Sequence, residues 1–366
     1  MGWRTEAHEF VVSQGFEQCK VDSSKYVKRG ATPSHDMIIG IFVDDLIMCG
    51  PEEAINVFEK ATCDKYPTKL LGDIDTYLGM QVKIDRQNKT VLIHQPQAIE
   101  KFLKFMDMRS CKTRTTPMDM NAKFFKCKGE CTDKELQSTY RSIVGSLMHF
   151  STVCRPDIAF ATICLSRQQN NPTPEHLQYA LQVVRYLRGT SELGLLYHCA
   201  EDPSSTFYCA ADSDWAGTEE CVSTTANVAF VCGAAISWLC CTQRNVTHSS
   251  CESEYVSLDS MCREVEHLRM LFDSFNMPLT TPTVILEDNQ SAIALAASSV
   301  CHRRSKHIAL RFHYIRQLIL DGVVVVQYHP TSWQPADLLT KNLGRVLFAR
   351  HAQVVMGHAK LQGTTK

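Results

Sequence analysis

The sequence of 366 residues lacks a strong net charge, a long apolar run and an apolar N-terminal segment. With a formal net charge of −1, the chain as a whole is not a basic nucleic-acid binder. Its longest mostly apolar run, residues 228–241, is shorter than the roughly 20 residues that span a bilayer and is typical of buried strand. We therefore expect no membrane association. The polar start favours an intracellular protein of the cytoplasm or nucleus that is not secreted.

Cysteine is abundant, yet neither a disulfide framework nor a zinc site is indicated. The 17 cysteines are odd in number and irregularly spaced, which favours reduced thiols. Cys127 and Cys131 are four positions apart, but no second pair follows at zinc-ligand spacing. The hydrophobic content of 44% and charged content of 21% are ordinary globular values, and the length suggests two or three domains.

The periodicity of apolar residues divides the chain into three segments. In the first, the apolar run 37–43 stops at Asp44 and Asp45 and then resumes, which predicts a β-hairpin with two carboxylates at its tip. The middle of the chain has apolar residues at helical spacing. From about residue 205 strands and helices alternate. The strands of this last segment are predicted at 206–211, 226–239 with a bend at Gly233, 245–249, 283–286 and 323–328.

Four acidic residues lie at the ends of predicted elements in the last segment. Asp212 and Asp288 follow strands, Glu254 lies early in a long helix, and Asp337 lies in the first turn of a short final helix. Phosphodiester hydrolysis needs an activated water and a stabilised leaving oxygen, which two divalent ions about 3.5–4 Å apart can supply. Each acid alone also suits a turn, a cap, a helix start or a helix surface. The ordered set, rather than any member, predicts a metal site.

Sequence blocks around these acids resemble the Pol polyproteins of copia-type retrotransposons, and further matching blocks cover nearly the whole chain. The blocks of the last segment are DSDWAG (212–217), GAAISW (233–238), SSCESEYV (249–256), EDNQSAI (287–293), KHI (306–308) and QPADLLTK (334–341). Earlier blocks are FVDD (42–45), LLGD (70–73), YLG (77–79), TPMD (116–119), YRSIVGSL (140–147) and RPDIA (155–159).

The resemblance implies an α/β chain with three parts. These are a partial reverse-transcriptase palm and thumb over 1–118, a helical connection over 119–204, and a ribonuclease H-like domain over 205–366 with a mixed five-stranded sheet flanked by helices. In that family the domain cleaves the RNA strand of RNA–DNA hybrids with Mg²⁺ or Mn²⁺. Its catalytic metal ligands map onto Asp212, Glu254, Asp288 and Asp337, which are the residues identified above.

Two of these assignments have rivals. Glu252 competes with Glu254, and we prefer Glu254 because Tyr255 and Val256 continue it as an apolar helical run. Asp214 is the weaker rival of Asp212. The sequence also departs from the family at 221–227 and at Ala309, where the family tends to carry Asp. Neither departure removes one of the four acids, although both affect positions expected to pack the sheet or grip the substrate.

The polymerase part is expected to be inactive in this chain alone. The resemblance makes Asp44 and Asp45 metal ligands, but the chain starts after the strand that carries the third metal-binding Asp of the family. Asp22 matches a different family position and does not replace it. A two-metal polymerase site needs that third carboxylate. A rival hypothesis is a polymerase subunit that another chain completes.

A basic stretch in the last segment is the predicted nucleic-acid contact. Residues 289–320 contain no Asp or Glu, and they include Arg303, Arg304, Lys306 and Arg311. A basic helix in this stretch can contact phosphates of the hybrid, or its charged side chains can simply form a solvated face. The rival function from another class is a nucleic-acid-binding remnant of a decayed element without catalysis. The sequence leaves the oligomeric state open.

Overall fold

The computed structural model describes residues 2–32, 35–122, 133–199, 206–217, 221–244, 246–298 and 309–362. The helices are α1 (Trp3–Ser13), α2 (Glu52–Lys65), α3 (Pro96–Phe105), α4 (Lys134–Val153), α5 (Ala159–Ser166), α6 (Pro174–Gly189), α7 (Ser250–Ser274), α8 (Gln290–Ala297), α9 (Ala309–Leu320) and α10 (Arg345–Val355). The strands are β1 (Glu17–Gln18), β2 (Lys25–Lys28), β3 (Met37–Phe42), β4 (Asp45–Cys49), β5 (Thr76–Tyr77), β6 (Met80–Asp85), β7 (Thr90–His94), β8 (Leu195–His198), β9 (Tyr208–Asp214), β10 (Thr224–Val231), β11 (Ala234–Thr242), β12 (Thr283–Glu287) and β13 (Val324–Tyr328). Within these described ranges, no helix combines the length and apolar character needed to cross a membrane.

The chain divides into two compact units, residues 1–74 with 263–281 and residues 75–262 with 282–366. In the first unit β1 to β4 form an antiparallel sheet in sequence order. Its core includes Phe10, Phe58 and Ile39. The β3–β4 hairpin is confirmed, with Phe42 paired to Asp45 across a two-residue turn. The domain boundaries given above stay a prediction.

A second antiparallel sheet lies in the second unit and corrects one expectation. Its order is β5-β6-β7-β8, and Ile93 of β7 pairs with Leu195 of β8. The segment 119–204 was expected to be helical throughout, but its end supplies this strand. A run of four residues is too short for its periodicity to separate strand from helix.

The expected mixed five-stranded sheet flanked by helices is confirmed in the second unit. Its order is β11-β10-β9-β12-β13. Strand β10 pairs antiparallel with both β9 and β11, whereas β12 runs parallel to both β9 and β13. Strand β12 therefore reaches the sheet through the long crossover that contains α7, as a parallel connection requires.

The strand boundaries inside this sheet differ from the prediction. Residues 226–239 were expected as one bent strand, but they belong to two strands, β10 and β11, that form a hairpin. Cys232 and Gly233 have φ values of 51° and 87°, and positive φ at both central residues is what a tight hairpin turn of the type I′ kind requires. The strand expected at 245–249 is absent from the described residues 246–249. A cysteine before the glycine concealed the turn, since Asn or Asp is the usual signal.

A fully buried ion pair stabilises the junction of α4 and α5. The Arg155 guanidinium donates to both carboxylate oxygens of Asp157, at 2.9 and 2.7 Å, and neither side chain is exposed. The Tyr186 hydroxyl donates to Asp157 at 2.6 Å, and Arg155 also donates to the carbonyl and hydroxyl oxygens of Thr190. Every charged atom of the pair thus has partners, which is the condition under which a buried ion pair persists.

Replacing Asp157 with Ala should destabilise the chain strongly, because Arg155 would keep its charge in a dry site without a counter-ion. We expect a loss of about 3–5 kcal/mol, seen as a lower urea midpoint. The double variant Arg155→Met, Asp157→Leu should recover most of that loss, since it removes both charges together. A double variant as unstable as Asp157→Ala would show that packing, rather than the unpaired charge, sets the cost.

Candidate metal centre

The neighbouring parallel strands β9 and β12 bring two of the acids to one edge of the sheet. Ala210 of β9 pairs with Leu286 of β12, so Asp212 and Asp288 follow at equivalent positions two residues further on. Asp212 is only 1% exposed. Asp288 directly follows β12, as predicted, whereas Asp212 lies inside β9, because this strand continues its pairing with β10 beyond the predicted end at residue 211 to Asp214.

Helix α7 adds the third acid. Ser257 anchors the helix to the sheet, since its hydroxyl donates to the carbonyl oxygen of Asp212 at 2.8 Å. Glu254, one turn earlier, is 6% exposed. Asp212, Glu254 and Asp288 each present a carboxylate oxygen, and these oxygens lie within 4.8 Å of one another. Glu252 points elsewhere, because its carboxylate accepts the backbone N–H of His248 at 2.8 Å.

The fourth acid, Asp337, lies beside this group rather than in it. It belongs to a short 3-10 helix, Pro335–Leu339, and is 3% exposed. Its Oδ1 lies 3.0 Å from the Lys341 ammonium, which is also 4.0 Å from Oδ2 of Asp212. The hydroxyl of Thr340 donates to the same Asp212 oxygen. The segment 337–341 therefore carries an acid, a hydrogen-bond donor and a cation on one side of a helical turn, as i, i+3 and i+4 spacing allows.

Burial and mutual repulsion disfavour the charged forms of these acids. Burial, followed by repulsion from Asp212 and Glu287, raises the pKa of Glu254 to about 11. Burial and Asp212 raise the pKa of Asp337 to about 8, although Lys341 opposes this shift. The pKa of Asp288 is also raised, by burial first and Asp212 second. Burial lowers the pKa of Lys341, but attraction from Asp212 and Asp337 outweighs it, so the net direction is upward.

Sequence reasoning missed three residues that belong to this region. Glu287 is fully buried at the end of β12; its Oε1 accepts the Asn289 N–H at 3.0 Å, while its Oε2 has no hydrogen-bond partner among the described residues. Its pKa is raised well above the ordinary value by burial first, with repulsion from Asp212 contributing. A charged residue that ends an apolar strand was the available signal. Thr340 and Lys341 were within a quoted block, and their spacing from Asp337 could have marked them.

The donor set suits a hard divalent cation. Mg²⁺ and Mn²⁺ prefer carboxylate oxygens, and three of these converge here. Oε2 of Glu254 is buried and has no hydrogen-bond partner among the described residues, which is costly unless a cation or proton satisfies it. Residues Asp212, Glu254 and Asp288 thus fit the predicted ion, with Asp337 in reach of the same charge cluster.

The other predicted site residues are placed as follows. Asp44 and Asp45 lie exposed at the hairpin tip of the first unit, and neither belongs to a cluster of three potential ligands within the described part of the chain. Arg311 of α9 forms an ion pair with Asp259, with Nε and Oδ2 3.4 Å apart and 29% of the arginine side chain exposed. Arg303, Arg304 and Lys306 lie outside the described residues.

Comparison with known proteins agrees with this architecture. Residues 1–120 match the family model described as reverse transcriptase (RNA-dependent DNA polymerase). The chain is 32% identical over 358 residues to the retrovirus-related Pol polyprotein from transposon RE1 of Arabidopsis thaliana, covering 96% of this chain and 24% of that protein. It is 31% identical over 363 residues to the corresponding polyprotein from transposon TNT 1-94 of Nicotiana tabacum, covering 98% and 27%. The chain thus spans about a quarter of the length of these curated relatives.

Among solved structures, a ribonuclease H1 isolated from compost is 15% identical, with a TM-score of 0.30, covering 37% of this chain and 92% of that one. The mixed five-stranded sheet of this protein follows, in the chain, the segment that matches the reverse-transcriptase model. Over nearly its whole length the chain is thus similar to one segment of the retrovirus-related Pol polyproteins from transposons.

Because the pKa values of Asp337 and Glu254 are raised, we expect the free energy of unfolding of the metal-free protein to fall as pH rises. Between the ordinary value of 3.8 and the folded value of about 8 for Asp337, the folded chain holds more protons than the unfolded chain. The free energy of unfolding therefore falls as pH rises through that window and stays lower above it. Glu254, with an ordinary value of 4.5 and a folded value of about 11, acts in the same direction over a wider range.

Glu254→Gln should consequently stabilise the protein in EDTA at pH 8, by at least about 1.4 kcal/mol, the free energy of one pKa unit. At pH 4 the same change should have little effect, because the native carboxyl is already protonated there. Thermal unfolding at both pH values measures the difference, and Glu252→Gln on the same helix is the matched control. Equal effects of Glu254→Gln at both pH values would contradict the electrostatic account.

Proposed function

We propose that this Pol segment is a metal-dependent endonuclease that hydrolyses the RNA strand of RNA–DNA hybrids. The observation that carries the proposal is the convergence of Asp212, Glu254 and Asp288 within 4.8 Å on a ribonuclease H-like sheet. Such buried like charges repel each other, which makes them expensive as architecture and typical of a functional site. Asp337, 3% exposed beside them, completes the proposed set of catalytic acids.

Each residue of the site has a distinct part in this proposal. Asp212, Glu254 and Asp288 hold Mg²⁺ or Mn²⁺, which when bound activates water and stabilises the departing 3′-oxygen. Thr340 fixes the orientation of Asp212 by donating to its Oδ2. Ser257 keeps α7, and with it Glu254, at a fixed distance from β9. Preorganisation of this kind matters because small displacements of catalytic groups cost large factors in rate.

The substrate contacts are also proposals. Arg303, Arg304, Lys306 and Arg311 would bind phosphates of the hybrid and set its position, whereas the 2′-hydroxyl would select the RNA strand. Arg311 can take this part because its guanidinium stays partly exposed while it pairs with Asp259. The polymerase segment is proposed to be inactive in this chain alone.

Cleavage of a labelled RNA–DNA hybrid by the purified chain in Mg²⁺ tests the proposed activity. Asp288→Asn should reduce the rate by at least about 100-fold, because it removes one of three converging carboxylates. Glu252→Gln should keep most of the activity, since that carboxylate caps the helix start. Binding of the hybrid without cleavage by the unmodified chain would contradict the proposal and favour the non-catalytic remnant.

Primer extension on an RNA template tests the polymerase segment separately. We expect no extension by the chain alone and no change on Asp44→Ala, because Asp44 and Asp45 lie exposed and belong to no group of three potential ligands among the described residues. Extension that Asp44→Ala abolishes would contradict this expectation. The hybrid-cleavage activity of the same preparation serves as the control for folding.

A further inference from the structure

Lys341 is the one cation whose ammonium lies within 4.0 Å of the acid cluster in the described part of the chain. The distance between its Nζ and Oδ1 of Asp337 is 3.0 Å, so the two groups form a close ion pair. The same nitrogen is 4.0 Å from Oδ2 of Asp212. The ammonium thus lies near both Asp337, which is outside the group of three, and Asp212, which is a member of it.

Asp337, together with Asp212, offers carboxylate oxygens for a second divalent ion, which a two-metal site needs. The ammonium of Lys341 already lies beside both acids, so it would compete with such an ion for the same oxygens. Asp212 also presents an oxygen within 4.8 Å of oxygens of Glu254 and Asp288, and the buried Oε2 of Glu254 has no hydrogen-bond partner among the described residues.

We propose that Lys341 occupies the second cation position of the site, so that the free chain holds one divalent ion tightly and admits a second only when Lys341 withdraws. The inference rests on the proposed metal-dependent function and concerns how many ions the site takes. Lys341 is a positioning residue in this scheme, since it acts through Asp337 and Asp212. Its side chain is 36% exposed and has a flexible four-carbon stem, so withdrawal requires no movement of the backbone.

Lys341 can leave Asp337 without disturbing the rest of the segment 337–341. Lys341 follows Asp337 by four residues, and Thr340 between them keeps its own hydrogen bond to Asp212. Departure of the ammonium would therefore free Asp337 without releasing Asp212 from Thr340. A phosphate of an incoming nucleic acid is a chemically suitable partner for the displaced ammonium, because lysine binds phosphate as a compact point charge.

Counting bound Mn²⁺ in the full chain tests the inference without any measurement of activity. Electron paramagnetic resonance of free Mn²⁺, titrated against the protein without nucleic acid, gives the number and affinity of the ions. We expect one tight ion in the unmodified chain. Lys341→Met should gain a second, bound at least about tenfold more tightly than any second ion of the unmodified chain, since a nearby positive charge has been removed. Lys341→Arg, which keeps the charge, should still bind one ion tightly.

The outcomes separate this inference from the proposed function. Two tight ions in the unmodified chain, unchanged in Lys341→Met, would overturn the inference and leave the metal-dependent function standing. No Mn²⁺ in any variant would overturn the proposed metal site itself, and the inference with it. The unmodified chain alone decides the first case, so the test holds even if a variant folds poorly. Circular dichroism of each variant identifies that situation.

Discussion

Repulsion among buried carboxylates is the constraint on which the candidate site depends. Strand register places Asp212 and Asp288 at one edge, and Ser257 holds Glu254 against it, so the three charges have no freedom to separate. A protein can relieve such repulsion by protonation, by a bound cation or by an internal ammonium. Burial and repulsion raise the pKa of Glu254, which favours the first means, and the ammonium of Lys341 beside Asp337 corresponds to the third.

The fold supplies the rigidity that this arrangement needs. Asp212 lies in β9 and Asp288 directly follows β12, two paired strands of mostly buried residues, and α7 is fixed by hydrogen bonds to two strands through one serine. By contrast, the fully buried Arg155 and Asp157 satisfy each other completely. The ion pair of Arg155 and Asp157 is thus neutralised internally. The acid cluster, by contrast, retains a buried oxygen, Oε2 of Glu254, that has no hydrogen-bond partner among the described residues. That difference separates a structural ion pair from a candidate ligand site.

Several features of the fold and of the candidate site could be predicted from the sequence, because they depend on residues that are close together in the chain. An Asp that closes an apolar run lies near the end of a strand, so Asp212 and Asp288 could be identified from the pattern, as could the β3–β4 hairpin, although β9 extends past Asp212 to Asp214. The hairpin turn at Cys232 and Gly233 could not be predicted, because Cys232 adopts a positive φ and cysteine is not a residue type typical of such turns. Strand β8 pairs with β7 across a separation of about a hundred residues, and Glu287 is a site residue only through packing. Tertiary pairing, rather than propensity, fixed these features.

Asp44 and Asp45 differ from Glu254 and Asp337 in their exposure to water, and this difference bears on their function. Asp44 and Asp45 are exposed at a hairpin tip, where water solvates both charges at little cost, so their position alone says nothing about chemistry. Glu254 and Asp337 are buried against other carboxylates, and folding must supply the free energy that keeps them there. A chain under no functional constraint would gain stability by replacing either one with an apolar or amide side chain. The retained cost therefore marks Glu254 and Asp337, and not Asp44 and Asp45, as the acids whose position calls for a functional explanation.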